Sequence, residues 1–370
     1  MGLIKKAVCL TAIALSLGAP IMAPQPVQAE EVVNLYSWAD YFPDDTIKAF
    51  EKETGIKVKY DTFDSNEVLE TKLSTGSSGY DVVVPNASPH LARQIPAKLY
   101  LTLDRGKLTQ YGNLDPALLA VLAHADPANQ HAVPWMWGTT GLIYNRAAIL
   151  KRIPDAKFDS LALLLDPANA AKLKDCGIAI ADSAGEMFPA TLAYLGKPPY
   201  SKNPADIALA VAHLRKITPF VKTFATAGQS NGMAEGELCL SFGYSGDAFI
   251  AQSRATEAKN GITVDYAIPQ ELTMAWIDTL AIPADAPHPE NAYKFIDFML
   301  RAKSAADATT AYGFASGNKA ALALLDPAIR DNPRIYPPQQ KVADMLLTPP
   351  LGRSYDRAIE RAWTTVKSGE

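Results

Sequence analysis

The sequence predicts an α/β chain with strands and helices packed in layers, and three observations carry that prediction. Short apolar runs recur through the chain and are followed by stretches with helical spacing. Proline, aspartate and glycine stand where those stretches begin and end. The 370 residues are also enough for about two domains, each with its own core.

In chain order, residues 32–36 read as a short apolar strand. Pro43, Asp44 and Asp45 open a helix, because acids suit its positive end and aspartate caps free N–H groups. Ile47 and Phe50 give that helix an apolar side, and Gly55 stops it. Residues 56–60 alternate as a strand. Asp64 and Glu67 have the spacing of a capping box, opening a helix that closes near Gly76. Residues 81–85 form a buried strand ended by proline. Residues 131–137 run through Gly138, Thr139, Thr140 and Gly141 into residues 141–145, as a strand leaving one lobe for another. Residues 155–240 alternate helical patterns with short strands, one of them at 176–181. Residues 262–268, before Pro269, read as the return crossing. A strand at 274–282, a helix at 292–300 with core aromatics at helical spacing, and a surface helix at 355–367 complete the order.

The first 29 residues have Lys5 and Lys6, an apolar stretch and a small-residue exit at Val27 and Ala29, the pattern of a cleaved secretory signal peptide. Its removal takes away two lysines and no acid, so the formal charge moves from −4 to −6. A mildly acidic chain lacks the basic footprint that nucleic acid needs. Export into an oxidising compartment makes a disulfide between Cys176 and Cys239 the expected state, and two thiols are too few for a structural zinc site.

Aromatic and acidic residues converge at three places. Trp276 and Asp278 are two apart on a strand and so point to one face. Trp38, Asp40 and Tyr41 form a second group, and Tyr244, Asp247 and Phe249 a third. An aromatic face attracts a cation through its quadrupole, and a carboxylate supplies the opposite charge, so the pattern points to a pocket for an organic cation. No phosphate-binding glycine loop, no paired-histidine metal motif and no complete nucleophile elbow occurs, so neither metal nor cofactor is expected. Ser245, one residue short of an elbow, reads as a turn residue. The enzyme alternative is a hydrolase with Asp247 and Asp278 as its two carboxylates.

The chain resembles the periplasmic polyamine-binding proteins of bacterial ABC transporters, most of all the putrescine-binding type. The resemblance rests on Trp38, Asp40 and Tyr41, on residues 50–56, 64–70 and 83–85, and on Thr139, Thr140, Gly141, Tyr144 and Asn145. Residues 257–261, 318–320, 335–338 and 362–369 continue it. It implies a type II periplasmic-binding-protein fold of two lobes, each a mixed sheet flanked by helices, joined by a hinge crossed more than once. Residues 30–136 and 268–310 would form one lobe, and 137–267 and 311–370 the other. It implies a monomeric, non-enzymatic periplasmic binder that delivers a di- or triamine to an inner-membrane permease. Asp278 would hold one ammonium, and Asp247 with Glu186 the other, assisted by Asp40. Trp38, Tyr244, Trp276 and Phe314 would enclose the methylenes, Tyr41 would add a ring or a hydroxyl, and Asn86 and Ser88 would line the next loop. Ala39, Asn86, Tyr244, Trp276 and Phe314 depart from the usual putrescine-binder pattern, which leaves the preferred polyamine open. A binder of a sugar or ferric complex, and a polyamine sensor, are the other readings.

Overall fold

A computed structural model describes residues 31–226, 228–337 and 347–368; the expected signal peptide lies outside them. Ten strands form one mixed sheet: β1 (Val32–Ser37), β2 (Lys57–Thr62), β3 (Val82–Val83), β4 (Ala132–Tyr144), β5 (Ile178–Ile180), β6 (Thr223–Phe224), β7 (Leu240–Tyr244), β8 (Asp265–Ala267), β9 (Met274–Ala281) and β10 (Ala315–Ser316). The order is β2-β1-β3-β9-β4-β7-β5-β6, with β8 and β10 also paired to β4. The two ends are parallel, β2-β1-β3 and β7-β5-β6, and the long strands β4 and β9 join them antiparallel.

Parallel neighbours need helical crossovers, and the sequence supplies them. Helix Asp44–Thr54 links β1 to β2 and ends where Gly55 takes a left-handed φ of 74°. Its Phe50 is buried edge-on against Phe295 and Phe298 of helix Pro289–Met299. The next helix, Asn66–Ser74, differs from expectation at its start. Ser65, in extended conformation, accepts from the Val68 N–H at 3.3 Å, and Asp64 lies one residue too early to cap.

Two main cores result. The first gathers β1, β3, β4 as far as Trp137, β9 from Ala275 onward, and helix Pro289–Met299. The second gathers Leu142 and Tyr144 of β4, β5, Leu272, Met274 and helices Ala184–Tyr194 and Pro204–Ile217. A smaller third core lies beneath helix Ser245–Ala258. Thus β4 leaves the first core after Trp137 and enters the second at Leu142. β9 passes between the same two cores at Met274 and Ala275, and residues 262–268 lie before it. That run holds β8, which pairs with Leu142, Ile143 and Tyr144 beyond the crossing. Residues after 310, expected in one lobe, divide between cores. Ala315, Ala321, Leu325, Ile329 and Ile335 pack in the first, and Tyr355, Ile359, Trp363 and Val366 in the second. The surface helix expected at 355–367 spans Arg353–Ser368 and buries these last four residues on one side.

Cys176 and Cys239 form a disulfide with Cα atoms 5.4 Å apart and a sequence separation of 63. It joins the approaches to two neighbouring parallel strands, β5 and β7. A loop of this length restricts the unfolded chain by about 4 kcal/mol in the entropy model. Reduction should therefore lower Tm by roughly 5–10 °C in calorimetry. An unchanged Tm in protein whose two thiols have been labelled would show that the bridge adds no stability. Among the described residues, no helix is long and apolar enough to cross a membrane, and no group of three or more His, Cys, Asp or Glu is placed to hold a metal.

Candidate ligand-binding site

Strand register builds the centre of the site. Met136, Gly138 and Thr140 of β4 share one face, since side chains alternate along a strand. Their partners in β9 are Asp278, Trp276 and Met274, and Tyr244 of β7 stands opposite Thr140. One stripe across the sheet thus carries Asp278, Trp276, Thr140 and Tyr244. Gly138 makes room for the tryptophan: a Cβ there would lie 2.5 Å from a Trp276 ring carbon and 2.7 Å from the Ser245 hydroxyl.

Asp278 is 5 % exposed and is held by two donors. The Tyr41 hydroxyl donates to its Oδ2 at 2.5 Å, and Asn86 Nδ2 donates to its Oδ1 at 3.1 Å. The backbones of Asn86 and Asp278 also form an isolated antiparallel bridge. Both donors favour the carboxylate, yet burial outweighs them and pushes the carboxyl up to about 7. The same burial, with Asp278 adding repulsion, drives the Tyr41 hydroxyl well above its ordinary range.

Two further acids stand in the first turns of helices. Asp247, in helix Ser245–Ala258, accepts from the Ser230 hydroxyl at 2.9 Å. Burial raises it to about 6, against hydrogen bonds from Ser230 and the Tyr244 backbone and a weaker attraction to Arg254. Glu186, in helix Ala184–Tyr194, accepts from Thr140 Oγ1 at 2.7 Å through Oε1. Its Oε2 is buried with no hydrogen-bond partner among the described residues, and burial raises this carboxyl too. Tyr244 stands amid all three: Glu186, Asp247 and Asp278 each add to burial in raising its hydroxyl.

Aromatic rings close the cluster. Trp276 meets Tyr244 edge-on at 6.0 Å and Phe314 at 5.5 Å, and Phe314 lies 5.5 Å from Tyr41. Gly246 fits beneath Phe314, where a Cβ would fall 2.0 Å from the ring. Eight of the expected residues, Tyr41, Asn86, Glu186, Tyr244, Asp247, Trp276, Asp278 and Phe314, therefore come together. The other three make different contacts. Trp38 rests against Phe63 at 4.5 Å, and its carbonyl accepts from Tyr60. Asp40 is exposed with a φ of 56°. Ser88 donates to the carbonyl of Thr348.

Sequence reasoning missed Thr140, Ser230, Gly138 and Gly246. The two-residue period of β4 would have found Thr140 and Gly138. No local signal marks Ser230, which reaches Asp247 from a different helix.

The arrangement has one chemical bias. The hydrogen-bond partners of Asp278, Asp247 and Glu186 are hydroxyls and an amide, and none of these acids is ion-paired with a lysine, arginine or histidine among the described residues. Desolvated carboxylates without a cation are costly, and a bound cation relieves that cost.

Residues 45–337 match the model of the bacterial extracellular solute-binding proteins. The chain is 43 % identical over 361 residues to the putrescine-binding periplasmic protein SpuD of Pseudomonas aeruginosa (strain UCBPP-PA14), covering 97 % of this chain and 98 % of that one. It is 43 % identical over 343 residues to the putrescine-binding periplasmic protein PotF of Escherichia coli (strain K12), covering 92 % of each. Among solved structures, the spermidine/putrescine ABC transporter substrate-binding protein PotD of Streptococcus pneumoniae superposes with a TM-score of 0.76 at 26 % identity, covering 92 % of this chain and 99 % of that one. With parallel sheet ends joined by two long antiparallel strands, and the acids and rings gathered beside that junction, the chain belongs to the bacterial extracellular solute-binding protein family and has its two-lobed type II fold.

Proposed function

We propose that this protein captures a polyamine, a diamine such as putrescine first, between its two lobes and delivers it to an ABC permease. One observation carries the proposal: three desolvated carboxylates that are ion-paired with no lysine, arginine or histidine among the described residues surround Tyr244 and adjoin Trp276 and Phe314. A flexible chain with an ammonium at each end matches that arrangement in charge and in apolar middle. SpuD and PotF, which are putrescine-binding proteins, agree with this chemistry.

In this reading Asp278 binds one ammonium, held in place by Tyr41 and Asn86. Asp247 and Glu186 bind the other, and Oε2 of Glu186 accepts a hydrogen bond from its N–H. Trp276, Tyr244 and Phe314 enclose the methylenes. The lobes follow the two main cores, and the crossings in β4 and β9 are the hinge. Closure converts binding into a shape that a permease recognises, without turnover. The mature protein acts in the periplasm as a monomer after cleavage near residue 29.

Calorimetric titration of mature protein with putrescine, cadaverine, agmatine, spermidine, glucose and ferric citrate tests the reading. The expected result is micromolar binding of at least one polyamine, about −8 kcal/mol, and no heat from glucose or ferric citrate. Folded protein that binds none of the four amines would reject it.

A further inference from the structure

A group of polar side chains joins the two cores away from the strands that cross between them. On one side, residues 87–94 make two short helical turns whose Ala87 and Leu91 are buried in the first core. On the other, helix Arg353–Ser368 is docked on the second core through Tyr355, Ile359, Trp363 and Val366. Arg93 spans them. Its Nη1 donates to Asp356 Oδ2 at 3.2 Å. Its Nε donates to Glu70 Oε2 at 2.8 Å, Nη2 donates to the same oxygen, and Nη2 also lies 3.0 Å from His90 Nδ1. One turn earlier, Ser88 donates to the carbonyl of Thr348, just before the docked helix.

The arrangement is asymmetric. Glu70 and His90 belong to the same side as Arg93, so they hold the guanidinium in place whether or not Asp356 is near. His90, whose Nδ1 lies 3.8 Å from Oε2, and Arg93 together hold Glu70 down at about 2. The planar guanidinium presents several donors in a fixed fork, and the one aimed at Asp356 is the member that bridges the cores. The Arg93, Glu70 and Asp356 side chains are 23 %, 18 % and 28 % exposed, less open to screening than an ordinary surface pair. None of the three is among the residues assigned to the ligand.

We propose that Arg93 and Asp356 form a clasp between the lobes that governs how long a bound amine is retained. The proposal rests on the polyamine-binding reading. A ligand enclosed between lobes leaves only when they part, and parting breaks this pair. Association begins from the open form, where the pair is not made. The clasp therefore acts on the dissociation rate and leaves the association rate nearly unchanged.

Stopped-flow tryptophan fluorescence of the mature protein with putrescine tests this, using Arg93→Ala, Asp356→Asn, the double variant and Arg93→Lys. Each of the first two should speed release by roughly three- to tenfold, with association changed less than twofold. The double variant should release no faster than the quicker single variant, because both remove one interaction. Arg93→Lys, which keeps the charge, should recover part of the retention. Raising salt should speed release of wild type more than of the variants. Wild-type release rates in both single variants, or effects that simply multiply in the double variant, would overturn the clasp while leaving amine binding intact. A folded wild type that binds no polyamine would overturn the functional reading and the clasp with it.

Discussion

Replacing Asp278 with asparagine should weaken diamine binding about a hundredfold while making the unliganded protein more stable above pH 7. The two effects have one cause. Asp278 is buried, and its carboxyl is raised from 3.8 to about 7, so at pH 8 the folded protein keeps an ionised group that its surroundings disfavour. A shift of that size corresponds to about 4 kcal/mol of destabilisation at pH 8. Asparagine removes the charge. It also sets a second amide against Asn86, so the net gain should be on the order of 1–3 kcal/mol. Binding reverses the balance, because an ammonium supplies the opposite charge in a water-poor site. Removing one member of such a pair costs about 3 kcal/mol or more, which is the hundredfold loss. Calorimetric titration with putrescine and a thermal melt at pH 8 measure both quantities. A variant that binds like wild type would remove Asp278 from the site, and one that loses binding through a collapsed melt would show a structural role instead.

The second large effect should appear in pH dependence. Asp278 and Asp247 have folded-state values of about 7 and about 6, both above the 3.8 they have when unperturbed. Between roughly pH 4 and pH 7 the folded state therefore binds more protons than the unfolded state, and stability falls as pH rises through that window. Glu186 is raised as well and acts in the same direction. A bound diamine favours the ionised carboxylates, so its binding expels protons. Affinity should rise at least tenfold from pH 5.5 to 7.5, and proton release should be visible as a dependence of the binding heat on buffer ionisation. Unliganded Tm should fall over the same range, while the Tm shift caused by putrescine should grow. Affinity and binding heat that are flat with pH and buffer would mean that these acids are already ionised in the unliganded protein.

Much of the fold was legible because its signals are local. Asp44, Asp45 and Gly55 bound the first helix, since first-turn charge and left-handed φ are decided within a few residues, although Pro43 stands at its start and no aspartate caps it. The long passage through Gly138 and Gly141 was also visible as one strand. Residues 262–268 were less legible. Short apolar runs look alike whether they cross between cores or pair at one end, and only pairing distinguishes β8 from β9. The start of helix Asn66–Ser74 shifted by one residue because Ser65 and Asp64 are both good caps.

The sequence by itself determined the bridge between Cys176 and Cys239 and the materials of the site: the two-residue spacing of Trp276 and Asp278, and the acids at 247 and 186. Only the tertiary structure decided which donors hold those acids. Tyr41 and Asn86 reach Asp278 across 237 and 192 residues, and Arg93 reaches Asp356 across 263. The reason is physical. Backbone preference and side-chain alternation act over a few residues, whereas desolvation and hydrogen bonding depend on which distant segments the packed cores bring together.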